Sequence, residues 1–242
     1  MFETTTGPVR VITAASLFDG HDAAINVMRR LIQSSGAEVI HLGHDRSAKD
    51  VVDCAVQEDA HAVALTSYQG GHMEYFTYIR QLLDEAGCAH VRIFGGGGGT
   101  ITPPEIRDLH KSGISRIYSP DDGRKMGLMG MIHDLMGTAS EVDLISNDRL
   151  ASLDGPITAD EMAKVGLLLT LSESASDEEF KSTLDKVRSS DADVPVIGFT
   201  GTGGAGKSSL LDELMLRILR DNPDKKVCLL CVDPTRKRTG GA

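Results

Sequence analysis

Apolar runs alternating with helical patterns predict an α/β fold built on a doubly wound parallel sheet, then a helical linker, then the beginning of a second α/β domain. Three observations carry this. Five short apolar runs within the first 140 residues are each followed by a helix-period pattern. Strands alternating with helices imply parallel strands covered on both faces. A glycine-rich G-x-x-x-x-G-K-S then lies between a further apolar run and a further helical pattern near the end of the chain.

Each element has its own signal. Residues 9–17, VRVITAASL, read as the first strand. The helix after them places Ala24, Val27, Met28 and Leu31 on one face and ends at Gly36. AEVIHLG reads as the second strand and SAKDVVDCAVQEDA as the second helix. AHAVALTSY is the third strand, followed by a helix over 73–86. VRIFGGG is the fourth strand, with a helix starting near Pro103 and Pro104. SRIYSP and GRKMGLMGMIHDLMG complete the set as fifth strand and last helix. Five units in this length suit a flavodoxin-like domain over 1–140. Between 141 and 192, EMAKVGLLLTLSES and DEEFKSTLDKVRSS read as helices of a linker. From 193 to 242 the order is VPVIGFT as strand, the glycine-rich loop, a helix from Lys207, and KKVCLLCVD as strand. This unit is the start of a P-loop NTPase domain. One strand–loop–helix–strand unit buries too little surface to fold alone, so the chain is expected to be part of a longer protein.

Composition narrows the function classes. A net charge of −10 argues against a nucleic-acid-binding face over the whole protein. No run of about 18 apolar residues is present, so no membrane span is expected. The N-terminus lacks the basic and apolar segments of a signal peptide, which points to the cytoplasm. Four cysteines are too few for a disulfide scaffold. Cys228 and Cys231 form a C-x-x-C, but inside KVCLLCVD they read as residues of a buried strand.

The loop GTGGAGKSS binds nucleotide phosphates through Gly203, Gly204, Ala205, Gly206, Lys207, Ser208 and Ser209, beginning from Gly201. Glycines let backbone N–H groups curl around phosphate oxygens without Cβ clashes. The following helix points its partial positive end at the anion. Lys207 supplies a point charge to the β- and γ-phosphates and is the candidate catalytic residue. Ser208 offers a hydroxyl to Mg²⁺, and Asp233 at the end of the next strand would help hold the ion. Arg236, Lys237 and Arg238 form a basic run, read equally well as a solvated loop or a switch segment.

Asp19-Gly20-His21 follows the first strand, at the carboxyl edge where doubly wound sheets bind ligands. Asp19 can take the Nδ1 proton of His21 and leave Nε2 for a metal. The third strand ends in Thr66-Ser67-Tyr68, and the fourth in five glycines from Gly95 to Gly99, where a large ligand can approach the backbone.

This D-x-H, hydroxyl pair and Gly-Gly resemble the cobalamin-binding domain of adenosylcobalamin-dependent mutases, over about residues 8–140. The resemblance implies that His21 is the cobalt ligand, Asp19 its partner, and Ser67, Gly95 and Gly96 the lining of the pocket for the cofactor's nucleotide tail. Two positions depart from the pattern. Ala24 stands where D-x-H-x-x-G has glycine, and Thr66-Ser67-Tyr68 stands for S-x-L. GTGGAGKSS with VDPTRKRTGG resembles the G-protein chaperones that load B12-dependent mutases.

The order of the two is similar to the N-terminal part of the fused isobutyryl-CoA mutases. That implies adenosylcobalamin, GTP and Mg²⁺ as cofactors, and radical interconversion of isobutyryl-CoA and n-butyryl-CoA. It also implies an acyl-CoA barrel downstream and a homodimer. A cobalamin sensor or carrier coupled to a nucleotide switch stays open as the alternative. A phospho-receiver would need an acidic residue where Thr66 and Ser67 stand.

Overall fold

The computed structural model describes residues 3–4, 6–158, 160–188 and 194–231. It divides into two units, 1–191 and 192–242. A two-residue strand pair, Glu3–Thr4 with Gly7–Pro8, opens the first unit. Five parallel strands follow: β1 (Arg10–Ser16), β2 (Glu38–Arg46), β3 (Ala62–Thr66), β4 (Arg92–Gly96) and β5 (Arg116–Tyr118). Their order in the sheet is 2-1-3-4-5. The order reverses between β1 and β3, which is where such sheets leave a crevice at their carboxyl ends.

The helices are α1 (Ala23–Ser34), α2 (Ala48–Gln57), α3 (His72–Glu85), α4 (Pro103–Lys111) and α5 (Pro120–Ser140). Their starts follow from local chemistry. Ser47, Thr102 and Ser119 each form a capping box with the acidic residue three positions on, and Pro103 and Pro120 begin their helices. Strand period then sorts side chains between two cores. Ile12, Val63, Leu65 and Ile93 pack with Val51, Phe76, Ile79 and Leu83, under α2 and α3. Val11, Ala62, Ala64 and Phe94 pack with Ile32, Ile132, Leu135 and Met136, under α1 and α5. Burial on both faces is why these strands are apolar throughout.

Two expectations need refinement. The buried residues of α1 are Ile25 and Ile32, while Val27 is exposed. The last helix is broken at Gly127, whose φ of 67° and ψ of 173° are not helical. The two segments on either side meet at an angle, and the apolar pattern has no single helical phase across them.

The helices of 141–192 pack onto the sheet domain. They are α6 (Asn147–Ala151), α7 (Met162–Ser174) and α8 (Asp177–Val187), around Leu153, Leu167, Leu171 and Val187. α6 carried no sequence signal strong enough to predict it. Gly166 lets α7 approach the end of α2, since a Cβ there would sit 2.8 Å from the Val56 carbonyl oxygen. Buried Asp59 fastens the segment: it accepts from Arg149 Nη2 (2.6 Å) and Thr170 Oγ1 (2.8 Å). Arg10 Nη2 in turn donates to Thr170 Oγ1 (2.7 Å).

In the second unit, α9 (Lys207–Asp221) forms as expected. The two flanking strands do not. Residues 194–200 and 226–231 carry no strand pairing, and Val194, Val196, Ile197 and Leu230 stand exposed. Cys228 and Cys231 are likewise exposed rather than buried in a strand. A strand exists only through hydrogen bonds to a neighbour, and these apolar segments have none among the described residues. Among those residues, no helix is long and apolar enough to cross a membrane.

Candidate functional site

The crevice at the switch point is built by the loops after β1, β3 and β4. Asp19, 1 % exposed, is its anchor. Its Oδ1 accepts from the backbone N–H of His21 (2.9 Å) and from His21 Nδ1 (2.8 Å). Its Oδ2 accepts from the Tyr68 N–H (2.6 Å), tying the β1 loop to the β3 loop. Burial works against the charge on Asp19, but the hydrogen bonds from Tyr68 and His21 outweigh it and hold the carboxyl below its ordinary range. With a carboxylate as acceptor, Nδ1 is the donor, so in the neutral ring the lone pair lies on Nε2. The His21 side chain is 76 % exposed, and its ring lies 5.6 Å from that of Tyr68. It presents a free, oriented nitrogen.

Beside this loop, between α1 and α5, lies a cavity of about 480 Å³. Parallel register builds its floor. Ala15 pairs with Thr66, Thr66 with Gly96, and Gly96 with Tyr118, so these residues form one row across the sheet. Thr66, Gly96 and Tyr118 line the cavity, with Ala24 and Val27 from α1 and Met131 from α5. This explains the exposure of Val27: it borders the cavity with Ala24, while Met28 and Leu31 of the same predicted face pack against the core.

The adjacent glycines play separate parts. Gly95 faces the opposite core, where a Cβ would meet Phe76 Cζ at 2.4 Å. At Gly96 the nearest atom to a Cβ is the Tyr118 carbonyl oxygen, at 3.5 Å, so its missing side chain leaves the cavity open. Gly97 lets two loops cross, since a Cβ there would lie 1.9 Å from the Ser67 carbonyl oxygen.

Ser67 is placed differently from the expectation. Its hydroxyl accepts from Ser16 Oγ (2.9 Å) and is buried, fastening β1 to β3 and not lining the cavity. Its neighbour Thr66 lines the cavity, and Thr66 Oγ1 is buried with no hydrogen-bond partner. Strand alternation held the signal, because Thr66 shares a face with Ala62 and Ala64. A free metal-ligating nitrogen, an orphaned hydroxyl and a glycine-opened apolar cavity fit a cofactor with a metal head and a buried tail.

In the second unit the glycine-rich loop curls at the start of α9. Gly204 (φ 74°) and Gly206 (φ 80°) are left-handed, as residues with side chains rarely are. Lys207 Nζ donates to the carbonyl oxygens of Gly201 (2.8 Å) and Thr202 (2.9 Å), so the ammonium bridges the loop. Gly203, Ala205, Ser208 and Ser209 are exposed around it. Asp233 and the run Arg236, Lys237 and Arg238 lie outside the described residues.

Comparison with known proteins gives both sites a context. Residues 9–121 match the family model described as the B12 binding domain, and residues 165–242 match methylmalonyl-CoA mutase-associated GTPase MeaB. The fused isobutyryl-CoA mutase of Geobacillus kaustophilus is 50 % identical over 97 % of this chain. That of Cupriavidus metallidurans is 51 % identical, also over 97 %. The chain is similar to the fused isobutyryl-CoA mutases over nearly all of its own length. It spans 22 % and 21 % of the length of these two relatives. The 2-hydroxyisobutanoyl-CoA mutase small subunit of Aquincola tertiaricarbonis is 31 % identical over 47 % of this chain and 82 % of its own length. The crevice of Asp19 and His21 falls in the B12-binding match and the glycine-rich loop in the GTPase match. The GTPase match starts inside α7, a helix that packs on the sheet domain.

Proposed function

We propose that this chain is the cofactor-binding and GTPase-chaperone portion of an adenosylcobalamin-dependent mutase that interconverts isobutyryl-CoA and n-butyryl-CoA. GTP hydrolysis at the P-loop gates loading of the cofactor. The observation that carries the reading is the Asp19–His21 pair presenting a free Nε2 beside an apolar cavity. Residues 1–140 form the cobalamin domain, 141–192 the connecting helices, and 193–242 the start of the GTPase. Acyl-CoA binding and the rearrangement belong to a downstream domain, in a cytoplasmic homodimer.

When bound, the cofactor would supply the radical chemistry of the rearrangement. This chain's residues hold and orient it. Asp19 keeps the Nδ1 proton in place, so His21 would offer Nε2 to cobalt. Gly96 leaves room for the nucleotide tail, and Thr66 Oγ1 gives that tail the hydrogen bond it lacks in the protein. Gly95 borders the pocket through its backbone, and Ser67 shapes it from behind its wall. At the P-loop, Lys207 neutralises phosphate charge, the N–H groups from Gly203 to Ser209 cradle the oxygens, and Ser208 and Asp233 hold Mg²⁺.

Titration with hydroxocobalamin, followed by absorption, tests the reading. The wild-type chain is expected to bind with the dimethylbenzimidazole displaced and His21 on cobalt. His21→Ala removes that spectral form while leaving the fold intact, because the ring is exposed. An unchanged spectrum in His21→Ala overturns the assignment.

A further inference from the structure

The loop between β1 and α1 carries an aromatic ring in an unfavourable setting. Phe18 has φ of 62°, in the left-handed region that side chains disfavour, and it is 81 % exposed. Neither cost is returned by packing among the described residues.

The conformation is nonetheless held from several sides. The Phe18 N–H donates to Asp45 Oδ1 (2.6 Å), and Asp45 is itself left-handed, with φ of 56°. The Leu17 carbonyl oxygen accepts from the Gln69 side chain, and the Asp19 N–H donates to the Ser16 carbonyl oxygen (3.0 Å). The Tyr75 hydroxyl pins the end of β2 through the Arg46 carbonyl oxygen (2.9 Å). Strain over-determined by its surroundings and ending in an exposed aromatic marks a surface shaped for a ligand.

Position in the chain selects the ligand. Phe18 precedes Asp19 and lies three residues before His21, in the loop that presents Nε2. A planar macrocycle held by His21 would lie close to this loop. Its broad, largely apolar face is the kind of surface that an exposed phenyl ring covers well. We infer that Phe18 is an aromatic contact for the corrin macrocycle, held outward by the Asp45 clamp so that it packs against the bound cofactor. The inference rests on the proposed ligation by His21.

The test uses the full chain and hydroxocobalamin, with affinity, dissociation rate and spectrum measured for wild type, Phe18→Gly, Phe18→Leu and His21→Ala. Phe18→Gly is expected to bind about tenfold more weakly and release the cofactor faster. It keeps the His-ligated spectrum at saturation. Phe18→Leu falls between. Thermal unfolding of the cofactor-free Phe18→Gly protein is expected at or above the wild-type temperature, because glycine adopts this φ freely. A Phe18→Gly affinity within twofold of wild type overturns the inference and points to a protein surface as the partner of the ring. A marked loss of cofactor-free stability overturns it too, by making Phe18 a structural residue. A wild-type chain without the His-ligated spectrum refutes the proposed ligation instead.

Discussion

Gly95 and Gly96 are neighbours in sequence, yet substitutions at them are expected to fail in opposite ways. An alanine Cβ at Gly95 would lie 2.4 and 2.6 Å from Phe76 Cζ and Cε1, and 2.8 Å from Ile117 Cδ1. Phe76 and Ile117 are buried in the core under α2 and α3, so neither can swing away into solvent. Relief requires off-rotamer side chains or a shift of the strand, which costs about 1–3 kcal/mol. At Gly96 a Cβ meets nothing closer than 3.5 Å, and anything beyond it enters the cavity of about 480 Å³. Gly96→Leu is therefore expected to stay within about 1 kcal/mol of wild-type stability. It should weaken cobalamin binding about a hundredfold, as expected from overpacking of about 3 kcal/mol in a filled site. Gly95→Ala should lose stability and keep a competent pocket wherever it stays folded. Urea unfolding gives the first quantity and hydroxocobalamin titration the second. Equal stability losses at the two positions, or unchanged affinity in Gly96→Leu, would refute the assignment of their faces.

Asp59 offers a second perturbation. Asp59→Ala strands the Arg149 guanidinium and leaves Thr170 short of an acceptor, and loss of one partner from such a buried pair costs about 3–5 kcal/mol. Limited proteolysis should then cut within 147–187 much faster than in wild type, and unchanged protection would argue against the fastening role. Acid is expected to act on the same region. Burial, then the Arg10 charge, push the His61 pKa down to about 4, and burial and Arg149 do the same for His90. The unfolded chain takes up these protons near pH 6.5 and the folded protein only near pH 4. Stability is therefore full above about 6.5 and falls as pH drops towards 4, by about 3 kcal/mol for His61 alone. Denaturation measured across that window should be flatter in His61→Gln, provided the variant folds. An unaltered slope would exclude His61 as its source.

Much of the sheet domain was legible in the sequence because its signals are local. Apolar runs of strand length, Ser or Thr before acidic residues, and Pro at helix starts fix the five strands and α1 to α5. D-x-H and the glycine-rich loop are local as well, since their residues act within a single turn of chain. Ser67 and Thr66 mark the limit. Both are small hydroxyls at a strand end; alternation puts them on opposite faces, and only the packing of α1 and α5 decides which face holds the cavity. The segments 194–200 and 226–231 fail as strands for a related reason: apolar character prepares a strand, but a hydrogen-bonding neighbour makes one. α6 and the Asp59 network lay hidden because Asp59, Arg149 and Thr170 are distant in sequence and meet only on folding.

The sequence by itself therefore determined the alternating α/β order, the Asp19–His21 pair, the glycine-rich loop at the start of α9, and the proteins they resemble, because each depends on residues a few positions apart. The tertiary structure alone decided that Asp19 is buried and ties two loops together. It also decided that Thr66, Gly96 and Tyr118 share a row, and that Phe18 is held out in a strained turn. Those facts depend on strand register and on hydrogen bonds between segments far apart in the chain, which residue spacing cannot encode.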